Sequence, residues 1–214
     1  MGVAIRRAGE ADREDVTRLL DEAFQDDPVS SWVFPDADHR RRTHPLLMRA
    51  FLDIVLDAGY VDVTEDGSAC ALWLSIPAGA HEEDEEGPVQ LREAVDPGNE
   101  RVELIARLTS EAHPAGAAHE YLWMIAARPG RQGEGLGTAL IQHVLERCDG
   151  EGLAAYLEAS GVRSRGLYER LGFAFTGRAV ELPAGPFMWP MWREPQREPQ
   201  REPQREPRRE PLRD

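Results

Sequence analysis

Apolar residues recur at helical spacing over Glu10–Phe24, where Ala11, Val16, Leu19, Leu20 and Ala23 form one stripe. The pattern predicts a helix there, after a short strand at Val3–Arg7. Following a turn at Pro28, the same period returns over Arg40–Ala58 through Leu46, Leu47, Ala50, Phe51, Ile54, Val55 and Ala58, with Gly59 placed as a C-cap. Tyr60–Thr64 and Ala69–Ile76 read as strands joined by the hairpin turn Glu65-Asp66-Gly67-Ser68. The run HEEDEEG at 81–87 is too charged to pack and predicts a solvated loop, after which Arg101–Ser110 resumes a helical pattern.

The second half alternates more regularly. His119–Ala126 predicts a strand, Gly135–Arg147 a helix and Leu153–Ala159 a second strand, a βαβ unit whose strands run parallel. A short helix at Arg163–Leu171, a strand at Phe173–Leu182 and an aromatic strand at Phe187–Trp192 complete the pattern. From Arg193 the unit REPQ repeats and decays, placing proline at every fourth position from Pro195 to Pro211, which no helix survives. The expected organisation is one domain over 1–192 and a disordered tail over 193–214.

Composition narrows the chemistry. All 25 basic residues are arginine, so a Schiff-base lysine and a lysine-dependent phosphate loop are both excluded. The net charge is −14, and since the tail from Arg193 carries seven arginines against six acids, the acidity belongs to the domain. That charge disfavours nucleic acid and anionic membranes as partners and attracts cationic small molecules, although its more ordinary role is solubility. Cys70 and Cys148 form no CxxC pair, which argues against a metal site or disulfide framework and for a reducing, cytoplasmic compartment. The first fifteen residues lack an apolar signal core, and no run of 18 apolar residues occurs, so no membrane targeting is expected.

The informative stretch is YLWMIAARPGRQGEGLGTALIQHVLERC. An apolar strand ends at Ala127, Pro129 breaks it, and glycines at 130, 133, 135 and 137 lead into an amphipathic helix. Glycines let a backbone approach a pyrophosphate, and the first-turn N–H groups of the helix point at it. A dinucleotide fingerprint fails on register, because the pattern from Gly133 finds Thr138 and the pattern from Gly135 finds Leu140 where a glycine is required.

At these residues the chain resembles the GNAT superfamily of acetyltransferases, whose pyrophosphate motif Gln/Arg-x-x-Gly-x-Gly/Ala is matched by Gln132, Gly135 and Gly137. A second family signature is matched by Leu157-Glu158-Ala159-Ser160 and by Leu167-Tyr168-Glu169-Arg170-Leu171-Gly172-Phe173. The resemblance implies an α/β (α+β) fold: a mixed, mostly antiparallel sheet of about seven strands with flanking helices, splayed between its fourth and fifth strands. It implies acetyl-CoA as cosubstrate, held by the backbone of Ile125, Ala126 and Ala127 and by Arg131, Gln132, Gly133, Glu134, Gly135, Leu136, Gly137 and Thr138, with no metal. Ser164 stands where many relatives have asparagine, so its contact to the cofactor is a single hydroxyl.

In the family, tyrosine at the position of Tyr168 protonates the departing thiolate. Glu120 is the expected base that takes the amine proton, His119 is its neighbour alternative, and a regular strand points at most one of the two into the cleft. Glu158 is a further candidate base, although the family pattern gives it no fixed catalytic duty. Arg128 and Arg131 are candidates for the CoA phosphates or for plain solvated cations. The layout up to the aromatic strand at Gly185–Trp192 is similar to the puromycin N-acetyltransferase branch. The expected function is acetyl transfer from acetyl-CoA to the primary amine of a small, cationic molecule by direct attack in a ternary complex, in a monomer or homodimer. The alternatives are a catalytically silent CoA-binding sensor and a dinucleotide-binding oxidoreductase.

Overall fold

The computed structural model describes residues 2–79 and 86–196. In chain order these form β1 (Ile5–Arg7), a 3-10 turn at Glu10–Asp12, α1 (Arg13–Phe24), α2 (Pro28–Val33), α3 (Ala37–Ala58), β2 (Tyr60–Thr64) and β3 (Ala69–Ile76). The chain continues with α4 (Gly87–Val95), α5 (Glu100–Ala112), β4 (His119–Ala127), α6 (Leu136–Glu151), β5 (Ala154–Ala159), α7 (Val162–Arg170), β6 (Ala174–Phe175), β7 (Val180–Glu181) and β8 (Phe187–Arg193).

The sheet has the order β1-β2-β3-β4-β5-β8-β6, with β7 paired to β8. Every pairing is antiparallel except β4 with β5, whose crossover is α6. This is the expected mixed sheet, with eight strands in place of about seven. The single strand expected over Phe173–Leu182 is two dipeptides, because the chain turns between them at Gly177, whose φ of 98° only glycine adopts freely.

Two cores lie on opposite faces of the sheet. One gathers Leu19, Leu20, Phe34, Met48, Leu52 and Val102 beneath α1 to α5, and the other gathers Leu140, Ile141, Val144, Leu157 and Tyr168 beneath α6 and α7. The sheet is therefore buried on both sides, so its strands read as apolar runs instead of a clean alternation.

Several helices depart from the expected bounds, each for a local reason. Pro28 opens α2 rather than a plain turn, because Asp27 caps that helix by accepting from Val29 N at 2.8 Å and proline is at ease in a first turn. The third helix starts at Ala37, capped by Asp36, and runs on through Pro45. The fourth was not expected; Leu91 and Val95, one turn apart, bury it. Gly59 does end α3, and a Cβ there would sit 2.1 Å from the Trp73 carbonyl, so the helix can approach β3 only through glycine.

The expected acidic loop falls mostly on 81–85, and the repeats of the tail on 197–214, all outside the described residues. Arg193, placed by sequence at the head of the tail, ends β8 and is buried against Asp149 through two hydrogen bonds of 2.7 and 2.8 Å. Among the described residues no helix is long and apolar enough to cross a membrane.

Candidate active site

The site begins with β4, which pairs with β5 at only three positions, His119 with Ala154, Glu120 with Ala155 and Tyr121 with Tyr156. Beyond Tyr121 the two strands diverge, and the β5-facing backbone of Leu122–Ala127 has no strand beside it. On the other side the β3–β4 register slips between Leu72 and Trp73, which makes Trp123 an extra, bulged residue. The bulge turns Trp123 and Met124 both toward the α1–α5 core, while Leu122 and Ile125 pack on the α6 side.

A cavity of about 660 Å³ fills the divergence. Its walls are β4 from Tyr121 to Ala127, the turn and first residues of α6, the end of β5 with α7, and the inner faces of α1, α2, α3 and α5. In the turn, Gly133 and Gly135 have φ of 90° and 84°, the left-handed region, and Gly135 is the residue from which α6 starts. Gln132 braces the turn by accepting from Gly130 N at 2.9 Å. The backbone here fits a pyrophosphate, since glycines expose the N–H groups and a helix of sixteen residues follows.

Of the residues expected to hold the cofactor, Ile125, Ala126, Ala127, Arg131, Gln132, Gly133, Gly135, Leu136, Gly137, Thr138 and Ser164 line this cavity. Glu134 does not; it pairs with Arg131 at 2.6 Å, and Arg131 also meets Asp66 at 3.2 Å. Two acids thus already neutralise the arginine expected to meet phosphate. Arg128 lies off the cavity, with its guanidinium on the Gly67 carbonyl. The cation beside the glycine turn is Arg163, which lies 3.9 Å from where a Cβ on Gly133 would be and has no carboxylate partner among the described residues. Ser164 lines the cavity while its hydroxyl donates to the Gly161 carbonyl at 2.9 Å.

Tyr168 lines the cavity and is otherwise buried, its ring set edge-on to Phe173. Burial, and secondarily the negative charge of Asp27, raise its pKa, so the phenol keeps its proton.

Glu120 corrects the sequence expectation. Its side chain faces α6 and not the cavity, where it accepts from Tyr60 at 2.8 Å and Ser75 at 2.9 Å and pairs with Arg147 at 3.0 Å. His119, on the opposite sheet face, is buried among Tyr156, Trp192 and His113.

The carboxylates that do line the cavity are Glu158 and Asp27. Glu158 accepts from the Tyr121 hydroxyl at 2.8 Å through Oε2, while its Oε1 is buried with no hydrogen-bond partner. Burial pushes its pKa up to about 7, against the Tyr121 hydrogen bond, which lowers it. Asp27 accepts from Val29 N and, at 3.0 Å, from Ser160 Oγ. Burial raises its pKa as well, against those same hydrogen bonds. Sequence offered a signal for each: Glu158 is a lone acid in an apolar strand, and Asp27 precedes a proline as helix caps do.

A family model described as the acetyltransferase (GNAT) family matches residues 62–173, just over half of the chain. The chain belongs to the GNAT family of acetyltransferases. This GNAT domain shares its fold with a structure described as histone acetyltransferase HPA2 and related acetyltransferase from Corynebacterium glutamicum, at 26% identity and a TM-score of 0.70, covering 94% of this chain and 99% of that one. The fold also matches arylalkylamine N-acetyltransferase 2 from Aedes aegypti, at 16% identity and a TM-score of 0.64 over 92% of this chain and 100% of that one. An uncharacterized N-acetyltransferase of Schizosaccharomyces pombe is 38% identical over 55 residues, which span 26% of this chain and 22% of the yeast protein. The GNAT chain therefore covers less than a quarter of that relative.

Proposed function

We propose that this acetyltransferase moves the acetyl group of acetyl-CoA onto the primary amine of a small, cationic molecule by direct attack in a ternary complex. The observation that carries the reading is the buried carboxylate of Glu158, which stands in the wall of the same cavity as Tyr168 and the glycine turn and has one oxygen without a hydrogen-bond partner. Acetyl-CoA, when bound, supplies an activated thioester. The N–H groups at Gly133–Thr138 and the side chain of Arg163 are suited to its phosphates, and the side of β4 at Ile125–Ala127 that has no strand beside it to its amide arm, as a neighbouring strand would be.

An ammonium must lose a proton before it can attack. Glu158, whose pKa burial raises to about 7, is partly ionised at neutral pH, and its carboxylate accepts that proton. Tyr168, held neutral by burial, is a proton donor for the leaving sulfur, whose conjugate acid has a pKa of ~8.5. Asp27 adds a second negative group, and Phe24, Phe51, Trp123, Met48 and Met188 give the cavity an apolar wall. Two acids on an apolar wall suit an amine borne on a hydrophobic or aromatic body. The two cysteines are buried and unpaired, which suits a cytoplasmic setting.

The test is to follow free thiol while the protein, acetyl-CoA and a panel of primary amines react, with calorimetry for acetyl-CoA. Thiol release that depends on the amine is expected. Absence of acetyl-CoA binding removes the reading, and tight binding without turnover turns it into a sensor.

A further inference from the structure

Outside the residues already given roles, the cavity wall holds one organised polar chain. His44, on α3, is completely buried, with its Nδ1 2.6 Å from Asp21 Oδ1 on α1 and its Nε2 3.0 Å from Ser30 Oγ on α2. Ser30 lines the cavity and is otherwise buried, one turn beyond Asp27. Asp21 and His44 lie behind it and do not line the cavity.

The hydrogen positions in this chain follow from the groups themselves. A carboxylate only accepts, so the Nδ1 facing Asp21 carries the proton. Burial lowers the pKa of His44, so the ring is neutral and Nε2 is a bare lone pair. Ser30 must then donate its one hydrogen to Nε2. What its oxygen can offer a group that reaches it from the cavity is lone pairs alone.

We infer that Ser30 is a specificity-determining hydrogen-bond acceptor of the amine site, selecting substrates that present an N–H or O–H toward α2 over isosteres that present an ether or an N-methyl group there. Resting on the proposed amine acetylation, it assigns the polarity of one contact within it. A hydroxyl free to rotate would serve either kind of partner. Asp21, through His44, removes that freedom, and a substrate lone pair facing Ser30 would be desolvated with nothing to bond. The same chain ties α1, α2 and α3 together, but a purely structural tie has no means of telling a hydroxyl from its methyl ether.

The experiment uses two matched pairs of primary amines, tyramine with its O-methyl ether and tryptamine with its N1-methyl derivative. Each is assayed with acetyl-CoA by thiol release, and its affinity for the CoA-saturated protein is measured by calorimetry. The wild type is expected to favour the unmethylated member of at least one pair by about tenfold or more. Ser30→Ala should bring that ratio to within about twofold, chiefly by losing affinity for the unmethylated member. Asp21→Asn, which can donate to His44 and so permit the opposite tautomer, should erode or reverse the preference with Ser30 still present. No preference in the wild type, or the same preference in a folded Ser30→Ala protein, overturns the inference. So does an acetyl adduct on Ser30 in intact mass spectrometry, since that would make the serine a nucleophile. A binding preference without turnover would instead leave Ser30 in this role and remove only the acetyl-transfer reading.

Discussion

The Tyr121 hydroxyl donates to one oxygen of Glu158 at 2.8 Å and leaves the other oxygen buried and unpartnered. Tyr121 is the last residue of β4 that pairs with β5, and Glu158 sits near the end of β5, so the hydrogen bond spans the place where the strands part. It fixes the carboxylate in a site whose burial holds its pKa near 7. With Glu158 as the base, activity on a saturating amine rises with pH through about 7 and levels off above it, because only the ionised form accepts a proton. Glu158→Gln should lower kcat/KM by about 10²–10⁴-fold and abolish that limb of the pH–rate profile.

The same shift has a consequence for stability with the opposite sign. A folded-state pKa above the unfolded value of ~4.3 means that the folded state holds its proton longer. Stability attributable to Glu158 is therefore full below pH ~4.3, falls as pH rises to about 7, and is flat beyond. Glu158→Gln, isosteric and uncharged, should have a Tm at pH 8 no lower than the wild type while its activity is lost. Thermal melts at pH 5 and 8 for both proteins check this.

Tyr168→Phe keeps the ring that packs on Phe173 and removes only the hydroxyl. We expect an unchanged Tm within about 1 °C and an unchanged acetyl-CoA affinity, with kcat reduced by about 10²-fold, the low end for a general acid. Full turnover in this variant would take the proton-donor role from Tyr168.

Glu120→Gln separates the acid that faces α6 from the acids in the cavity. Its contacts to Tyr60, Ser75 and Arg147 are structural, so the substitution should cost about 1–3 kcal/mol in denaturant melts and leave the pH–rate profile in place. A lost alkaline plateau would return Glu120 to the catalytic machinery.

Gly135→Ala places a Cβ on a residue with φ of 84° at the start of α6. The strain is about 1–2 kcal/mol, and relief by reshaping the turn should weaken acetyl-CoA binding about tenfold while amine affinity holds. Calorimetry of each ligand alone distinguishes the two.

Much of this architecture was legible from pattern. The strands at Tyr60–Thr64, Ala69–Ile76 and His119–Ala127 are apolar runs between turn residues, and the glycine register around Gln132, Gly135 and Gly137 places the turn that opens the cavity. The side of β4 on which each residue stands was not legible. Alternation says that His119 and Glu120 oppose each other, but which one meets α6 depends on how α6 packs on the sheet, and the bulge at Trp123 breaks the alternation farther along. The sequence leaves Glu158 behind Glu120 as a base, and gives no reason to single out Asp27, for a related reason. A lone acid in an apolar strand and an acid before proline become a pair only when β5, α2 and α7 meet around the cavity.

The parting of β4 from β5 also bears on how such a sheet avoids aggregation. An exposed row of backbone donors and acceptors at the margin of a sheet invites pairing with another chain. Here the open row lies between two interior strands, inside a cleft walled by helices, and not along the margin of the sheet. The adhesive stretch of backbone thereby stays off the outer margins, where edge-to-edge pairing would occur.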